Sequence, residues 1–204
     1  MSLTLLLVAV AIPASFAGGI PRCGLVDREM DGVANMGAKW PKRRITYTIE
    51  NYLDYLSEND TKKGVQEAFD QWSTLVPIKF QFVSSGGDVK ISFGRLDGKW
   101  GMLAVATVGW ARTNFLVFDT YERWTYKNVD EILKGYIDLY TIAKHEIGHV
   151  LGVEHNQDPL SVMAPYYNTP LNRTTRQFKD ISFRDEDIRK IRSLYGGFYM
   201  LETV

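Results

Sequence analysis

All three histidines of this 204-residue chain fall in one short stretch, His145-Glu146-Ile147-Gly148-His149-Val150-Leu151-Gly152-Val153-Glu154-His155. On a helix His145 and His149, four apart, share a face, so their imidazoles can converge on one ion with spacing suited to Zn²⁺. Gly152 can adopt the positive φ that ends the helix and turns the chain back, which lets His155 bring a third nitrogen. Three protein ligands leave a fourth position for water, whose pKa a metal lowers toward about 7, as hydrolysis needs. Glu146 is rotated about 100° from His145, beside the metal but outside its ligand set, where a general base belongs. The fold must therefore bury a helix carrying these residues and return the chain beneath them.

The rest of the chain is compatible with that demand. With 45% hydrophobic residues, 24% charged and 13% aromatic, it is an ordinary globular sequence with room for one core. Twenty-four basic residues balance twenty-four acidic ones, so no positive field points to nucleic acid or an anionic membrane. Ile45, Tyr47 and Ile49 alternate within Arg44 to Glu50, as do Ile78, Phe80 and Phe82, and Val89, Ile91 and Phe93; these predict three strands. Met102 to Val108 and Phe115 to Phe118 predict two more. Helical spacing of Val65, Ala68, Phe69, Trp72, Leu75 and Val76 predicts a long helix capped around Asn59 to Thr61 and stopped by Pro77. Further helices are expected from Ile137 to Leu151 and around Ile188 to Tyr195. This order predicts an α+β domain in which a five-stranded mixed, twisted sheet is backed by three helices.

The N-terminus has a different character. Leu3 to Ile12 is apolar but too short to span a bilayer, and it ends in Ser15-Phe16-Ala17, a small-x-small cleavage pattern. Residues 1–17 therefore read as a secretory signal peptide, and sequons at Asn59 and Asn172 fit a secreted, extracellular chain. The single cysteine, Cys23, excludes an intrachain disulfide.

The extended histidine motif resembles that of the metzincin metalloproteases, and Ser161-Val162-Met163-Ala164-Pro165-Tyr166-Tyr167 resembles the Met-turn of their matrixin (matrix metalloproteinase) branch. The resemblance implies a zinc endopeptidase: His145, His149 and His155 on one catalytic Zn²⁺, Glu146 as base, and Met163 as the apolar floor below the metal. Pro165, Tyr166 and Tyr167 would wall the specificity pocket, and Leu103, Ala104 and Val105 would form an edge strand that binds extended peptide. Pro21-Arg22-Cys23-Gly24-Leu25-Val26-Asp27 is similar to the family's cysteine-switch segment, in which Cys23 would hold the zinc of a latent zymogen. Reach does not prevent this, since the chain from Cys23 to Trp40 can extend up to about 55 Å. The implied division is a short propeptide-like segment at 18–39 and a catalytic domain at 40–204, with Asp187 bracing the Met-turn.

Departures from the family are also informative. Val105 and Val117 stand where two ligands of the family's structural zinc align, so that second site is expected to be absent. Asp97, Asp119 and Glu122 keep carboxylates resembling a family calcium site, with solvated surface acids as the alternative reading. Only the signal-like segment precedes Pro21 and no propeller follows Val204, so substrate choice is expected to rest on the cleft. The implied partners are extended peptides or proteins, extracellular matrix among them, and protein inhibitors; a monomer without a membrane span is expected. Two rivals remain. One is a catalytically silent or latent secreted binding protein, against which Glu146 argues. The other is a metzincin of another branch, against which argue the Cys23 segment and Asn156, where astacins carry glutamate.

Overall fold

The computed structural model describes residues 21–25 and 38–197. The expected signal peptide and most of the 18–39 segment lie outside them.

The alternating segments form strands because their apolar members share a face that can be buried. In β2 (Arg44–Ile49) Ile45, Tyr47 and Ile49 are buried, and in β4 (Val89–Gly94) Val89, Ile91 and Phe93 are. The connection after β2 is α1 (Glu58–Ser73), whose N-cap is Ser57, its Oγ accepting from Asp60 N at 3.0 Å. The cap thus lies before the Asn59 to Thr61 position expected from sequence, because Ser57 and the acidic first turn satisfy the free N–H groups one turn sooner. Val65, Ala68, Phe69 and Trp72 form the buried face of α1. Each such large side chain contributes about 1.5–3 kcal/mol when fully buried.

β3 (Lys79–Phe82), β4, β6 (Asn114–Asp119) and β2 run parallel, and β5 (Met102–Ala106) runs antiparallel to β6. These are the five expected strands. A sixth is added at the edge by β1 (Arg22–Leu25), parallel to β5, giving the order β1-β5-β6-β4-β2-β3. Its four residues have no periodicity that sequence reading could use.

Below the sheet lies α3 (Leu139–Val150), packed against α1, β5 and β6. Every residue of α3 is buried, as expected for a helix that passes through the middle of a domain. Asp138 caps it, accepting from Thr141 N at 2.9 Å and Thr141 Oγ1 at 2.7 Å. Before it come the short β7 (Trp124–Thr125) paired with β8 (Ile137–Asp138), and between them α2 (Val129–Leu133), a fourth helix too short for its apolar period to register in sequence. After it come a hairpin of β9 (Leu171–Asn172) and β10 (Gln177–Phe178), then α4 (Asp185–Tyr195). Tyr195 Oη donates to Leu151 O at 2.8 Å and accepts from Trp40 N at 3.1 Å, fastening α4 to the end of α3 and to the start of the domain. Among the described residues no helix is long and apolar enough to cross a membrane.

Candidate metal centre

Two turns of α3 place His145 and His149 on one face, and the helix ends at Leu151 because Gly152 takes φ = 90°. The reversal brings His155 back to them. His149 Nε2 lies 3.0 Å from His145 Nε2 and 3.2 Å from His155 Nε2. The Nδ1 atoms of His145 and His149 face Val162 O at 2.7 Å and Val153 O at 2.8 Å, which fixes the proton on Nδ1 and leaves the Nε2 lone pairs pointing inward. Three converging lone pairs repel one another unless a cation sits between them. One tetrahedral zinc with Zn–N near 2.05 Å sets its ligand nitrogens about 3.3 Å apart, so the donor set fits that ion. Cys23 Sγ completes a group whose ligand atoms all lie within 4.8 Å of one another.

The electrostatics agree with a ligand role. Burial, with His155 nearby, pushes His145 down to about 3; burial and both neighbouring imidazoles hold His149 well below its ordinary value. His155 is lowered by burial and by Lys190. All three rings are therefore neutral near pH 7, the form that binds metal. Glu146 is wholly buried, and burial raises its pKa to about 8 against the opposing bond from Cys23, whose Sγ donates to Oε1 at 2.6 Å. Its Oε2 is buried with no hydrogen-bond partner among the described residues. Burial, and then the Glu146 charge, raise the Cys23 thiol well above its usual value.

Met163 is fully buried, and it lies against α3 at Gly148. It can sit there because of Gly148: a Cβ at that position would lie 2.4 Å from Met163 Sδ and 2.7 Å from Trp72 Cζ2. The Met163 loop is held by Asp187, whose carboxylate accepts from Ser161 Oγ at 2.7 Å, Asn156 Nδ2 at 2.8 Å and Arg184 N at 2.8 Å. Ser161 Oγ in turn accepts from Met163 N at 2.8 Å, and Asn156 N donates to Met163 O at 2.8 Å. In the sequence Asn156 stands out only by contrast with the astacins, and Gly148 and Ser161 only as members of longer motifs; none points to this packing. A glycine inside a helical pattern was the one available signal, since it marks a close approach.

The cleft beside this cluster has β5 on one side and Pro165 to Tyr167 on the other, and β1 lies between them. Gly24 pairs with Val105 and Leu25 with Ala106, while Arg22 bridges Tyr166. Cys23 N donates to Pro165 O at 3.1 Å and Tyr167 N to Pro21 O at 3.0 Å. Leu103 and Ala104 are buried, Tyr166 is exposed, and Tyr167 Oη accepts from Asp138 N at 3.2 Å. Next to His145 a cavity of about 20 Å³, lined by Ile142, Val162, Tyr167 and Ile181 among others, has room for roughly one water. Lys144 also reaches it, its ammonium buried against Asp180 Oδ2 at 3.0 Å and Ile181 O at 2.7 Å; the sequence reading missed this residue.

Away from the cleft, the loop after β4 wraps two buried carboxylates. Asp119 accepts from the backbone N–H groups of Leu96, Gly98 and Tyr121, Glu122 accepts from Trp100 N, and Asp97 accepts from Met102 N at 2.7 Å. Burial raises the Glu122 pKa, and the Asp119 and Asp97 charges raise it further. Val105 and Val117 face each other as partners in the β5–β6 ladder.

Comparison with known proteins agrees with this geometry. The matrixin family profile matches residues 39–196. Matrix metalloproteinase-C of Caenorhabditis elegans is 34% identical over 190 residues, covering 87% of this chain and 32% of that protein. Interstitial collagenase B of Mus musculus is 31% identical over 186 residues, with 86% and 37% covered. Macrophage metalloelastase of Oryctolagus cuniculus is 34% identical over 187 residues, with 87% and 38% covered. The chain thus spans about a third of the length of these curated relatives. A profile match running from just before β2 to the end of α4, with relatives above 30% identity, makes the chain a member of the matrixin family of zinc metallopeptidases.

Proposed function

We propose that this chain is a secreted zinc-dependent endopeptidase that cleaves extended segments of extracellular proteins. The observation that carries the reading is the convergence of three histidine Nε2 atoms beside a buried glutamate whose Oε2 has no hydrogen-bond partner among the described residues. His145, His149 and His155 would hold one zinc. Zinc bound there supplies Lewis-acid polarisation of the scissile carbonyl and acidifies a water.

The chain's own residues do the rest. β5 offers its backbone groups along Leu103 to Val105, so a peptide can add as a strand in the place β1 takes here. Pro165 to Tyr167 close the opposite side, next to the small cavity beside His145. Glu146 takes the proton of the attacking water and delivers it to the leaving amine. Burial raises its pKa to about 8 against the opposing bond from Cys23, which favours its taking up a proton. Met163, held through Ser161 and Asp187, keeps the histidine faces aligned.

Latency is part of the reading. Cys23 Sγ would be the fourth ligand and its strand would block the peptide path, so activation requires the 18–39 segment to leave. Asp97, Asp119 and Glu122 would take Ca²⁺, because a divalent cation offsets the burial of the Glu122 charge and the lesser repulsion from Asp119 and Asp97. Glu146→Gln tests the mechanism: after activation, peptide turnover should fall by at least about 10²–10⁴-fold while zinc content is unchanged. Wild-type turnover in that variant would remove Glu146 as base.

A further inference from the structure

We propose that Asn172 carries an N-linked glycan whose first sugar packs into the groove beside it. The inference rests on the secretory part of the function above and concerns the β9–β10 hairpin, which contributes no residue to the cluster of Cys23 and the three histidines.

Two sequons exist, and the fold treats them differently. Asn59 lies in the first turn of α1, and the hydroxyl of its partner Thr61 is fully buried and donated to Ser57 O at 3.0 Å. That sequon is absorbed into a helix start. Asn172 ends β9, and the turn that follows, residues 173–176, is exposed along its whole length. The Asn172 Oδ1 accepts from Thr174 N at 3.0 Å and Thr175 N at 3.1 Å, an Asx turn, while Nδ2 has no acceptor among the described residues. The carboxamide is thus held by its oxygen with its nitrogen outward, and the Thr174 side chain is exposed beside it.

An independent observation concerns what lies under that nitrogen. Asn172 lines a groove of about 300 Å³ with Ile132, Leu133, Thr169, Leu171, Arg173 and Arg176. Leu133, 50% exposed, gives this groove apolar surface open to solvent. Neither arginine pairs with a carboxylate among the described residues. The volume holds about ten waters, which is the space of one pyranose ring with its acetamide. The apolar floor suits the ring's C–H face, and the guanidinium donors suit its hydroxyl and carbonyl oxygens. A sugar rooted at Asn172 reaches this groove without any chain movement.

The modification is a substitution. Nδ2 forms a bond to the anomeric carbon of a lipid-diphosphate-linked oligosaccharide, the C–O bond to the lipid diphosphate breaks, and Nδ2 gives up one proton. No oxidant or reductant is required.

The test uses the full chain in animal cells, once with its own N-terminus and once behind a proven secretory leader. Peptide N-glycosidase in ¹⁸O water then marks each glycosylated asparagine as labelled aspartate. The expected result is label at Asn172, lost in Asn172→Gln and Thr174→Ala and kept in Asn59→Gln. Trimming the glycan to one N-acetylglucosamine should leave the melting temperature unchanged, whereas removing that last sugar should lower it. Label at Asn172 only behind the added leader would support this proposal and refute native secretion. An unmodified Asn172 in chain delivered by the proven leader overturns the proposal, and equal melting with and without the last sugar overturns the groove packing.

Discussion

Replacing Gly148 by alanine places two opposed energies at one atom, and the structure decides between them. In an isolated helix the change would stabilise by about 1 kcal/mol. Here the new methyl would sit 2.4 Å from Met163 Sδ and 2.7 Å from Trp72 Cζ2. Neither neighbour is free to yield: Trp72 is tied by Nε1 to Lys144 O at 2.7 Å, and Met163 is fully buried under a loop held by Ser161 and Asp187. Overpacking of this kind costs about 1–3 kcal/mol, so taking the upper half and subtracting the helix gain leaves a net loss of about 1–2 kcal/mol. For a chain of this size that lowers Tm by roughly 2–8 °C. If Met163 takes its proposed role in aligning the histidines, zinc affinity should fall as well. Thermal melts of wild type, Gly148→Ala, Met163→Ala and the double variant, each with and without zinc, form a cycle that isolates the contact. A Gly148→Ala protein as stable as wild type, or additive effects in the cycle, would refute the claim that Gly148 exists to admit Met163.

Other perturbations read other parts of the account. Asp187→Ala strands two buried donors, from Asn156 and Ser161, and the half-buried N–H of Arg184, and should cost about 2 kcal/mol or more in chemical denaturation; a smaller loss than one ordinary hydrogen bond would show that Asp187 does not brace the Met163 loop. Cys23→Ser should raise peptide cleavage by the unprocessed chain at least about tenfold, a 1.4 kcal/mol weakening of the closed state, since a hydroxyl is a poorer zinc ligand than a thiolate; equal rates would remove latency. Asp88 is raised by partial burial, but Lys42 at 2.6 Å and the Thr46 N–H at 2.7 Å outweigh that and hold its carboxyl below the usual range. Its folded pKa is depressed, so its stabilisation is present above the unfolded value of about 3.9 and is lost as pH falls through the folded value. Asp88→Asn should therefore lower stability at pH 7, by no more than about 1 kcal/mol at this solvent-screened pair, and by less as the pH falls below about 4, as read by chemical denaturation.

What the sequence made legible was whatever periodicity or spacing encodes. The five strands of the domain and its three longer helices announce themselves through Ile45-Tyr47-Ile49 and similar patterns, and the histidine spacing alone predicts the face that His145 and His149 share. α2 escaped because five residues cannot display a period, and β1 because Arg22–Leu25 is a strand only through its pairing with β5. The cap at Ser57 was displaced from the expected place since several nearby residues offer cap chemistry and only the observed packing selects one. At the site, histidine, glutamate and cysteine are rare enough to point to themselves. Lys144, Ser161 and Asn156 are common residue types whose roles arise from long-range contacts: Lys144 with Asp180, Ser161 and Asn156 with Asp187.

The central claim is that Cys23, His145, His149 and His155 form one zinc site. X-ray absorption at the zinc edge, on full-length chain purified without thiol reagents and again after activation, tests it most directly. The account predicts one zinc per chain, with one sulfur near 2.3 Å and three nitrogens near 2.0 Å before activation, and the sulfur replaced by oxygen afterwards. A zinc that shows no sulfur in the unactivated chain, or a chain that retains no zinc, would contradict it.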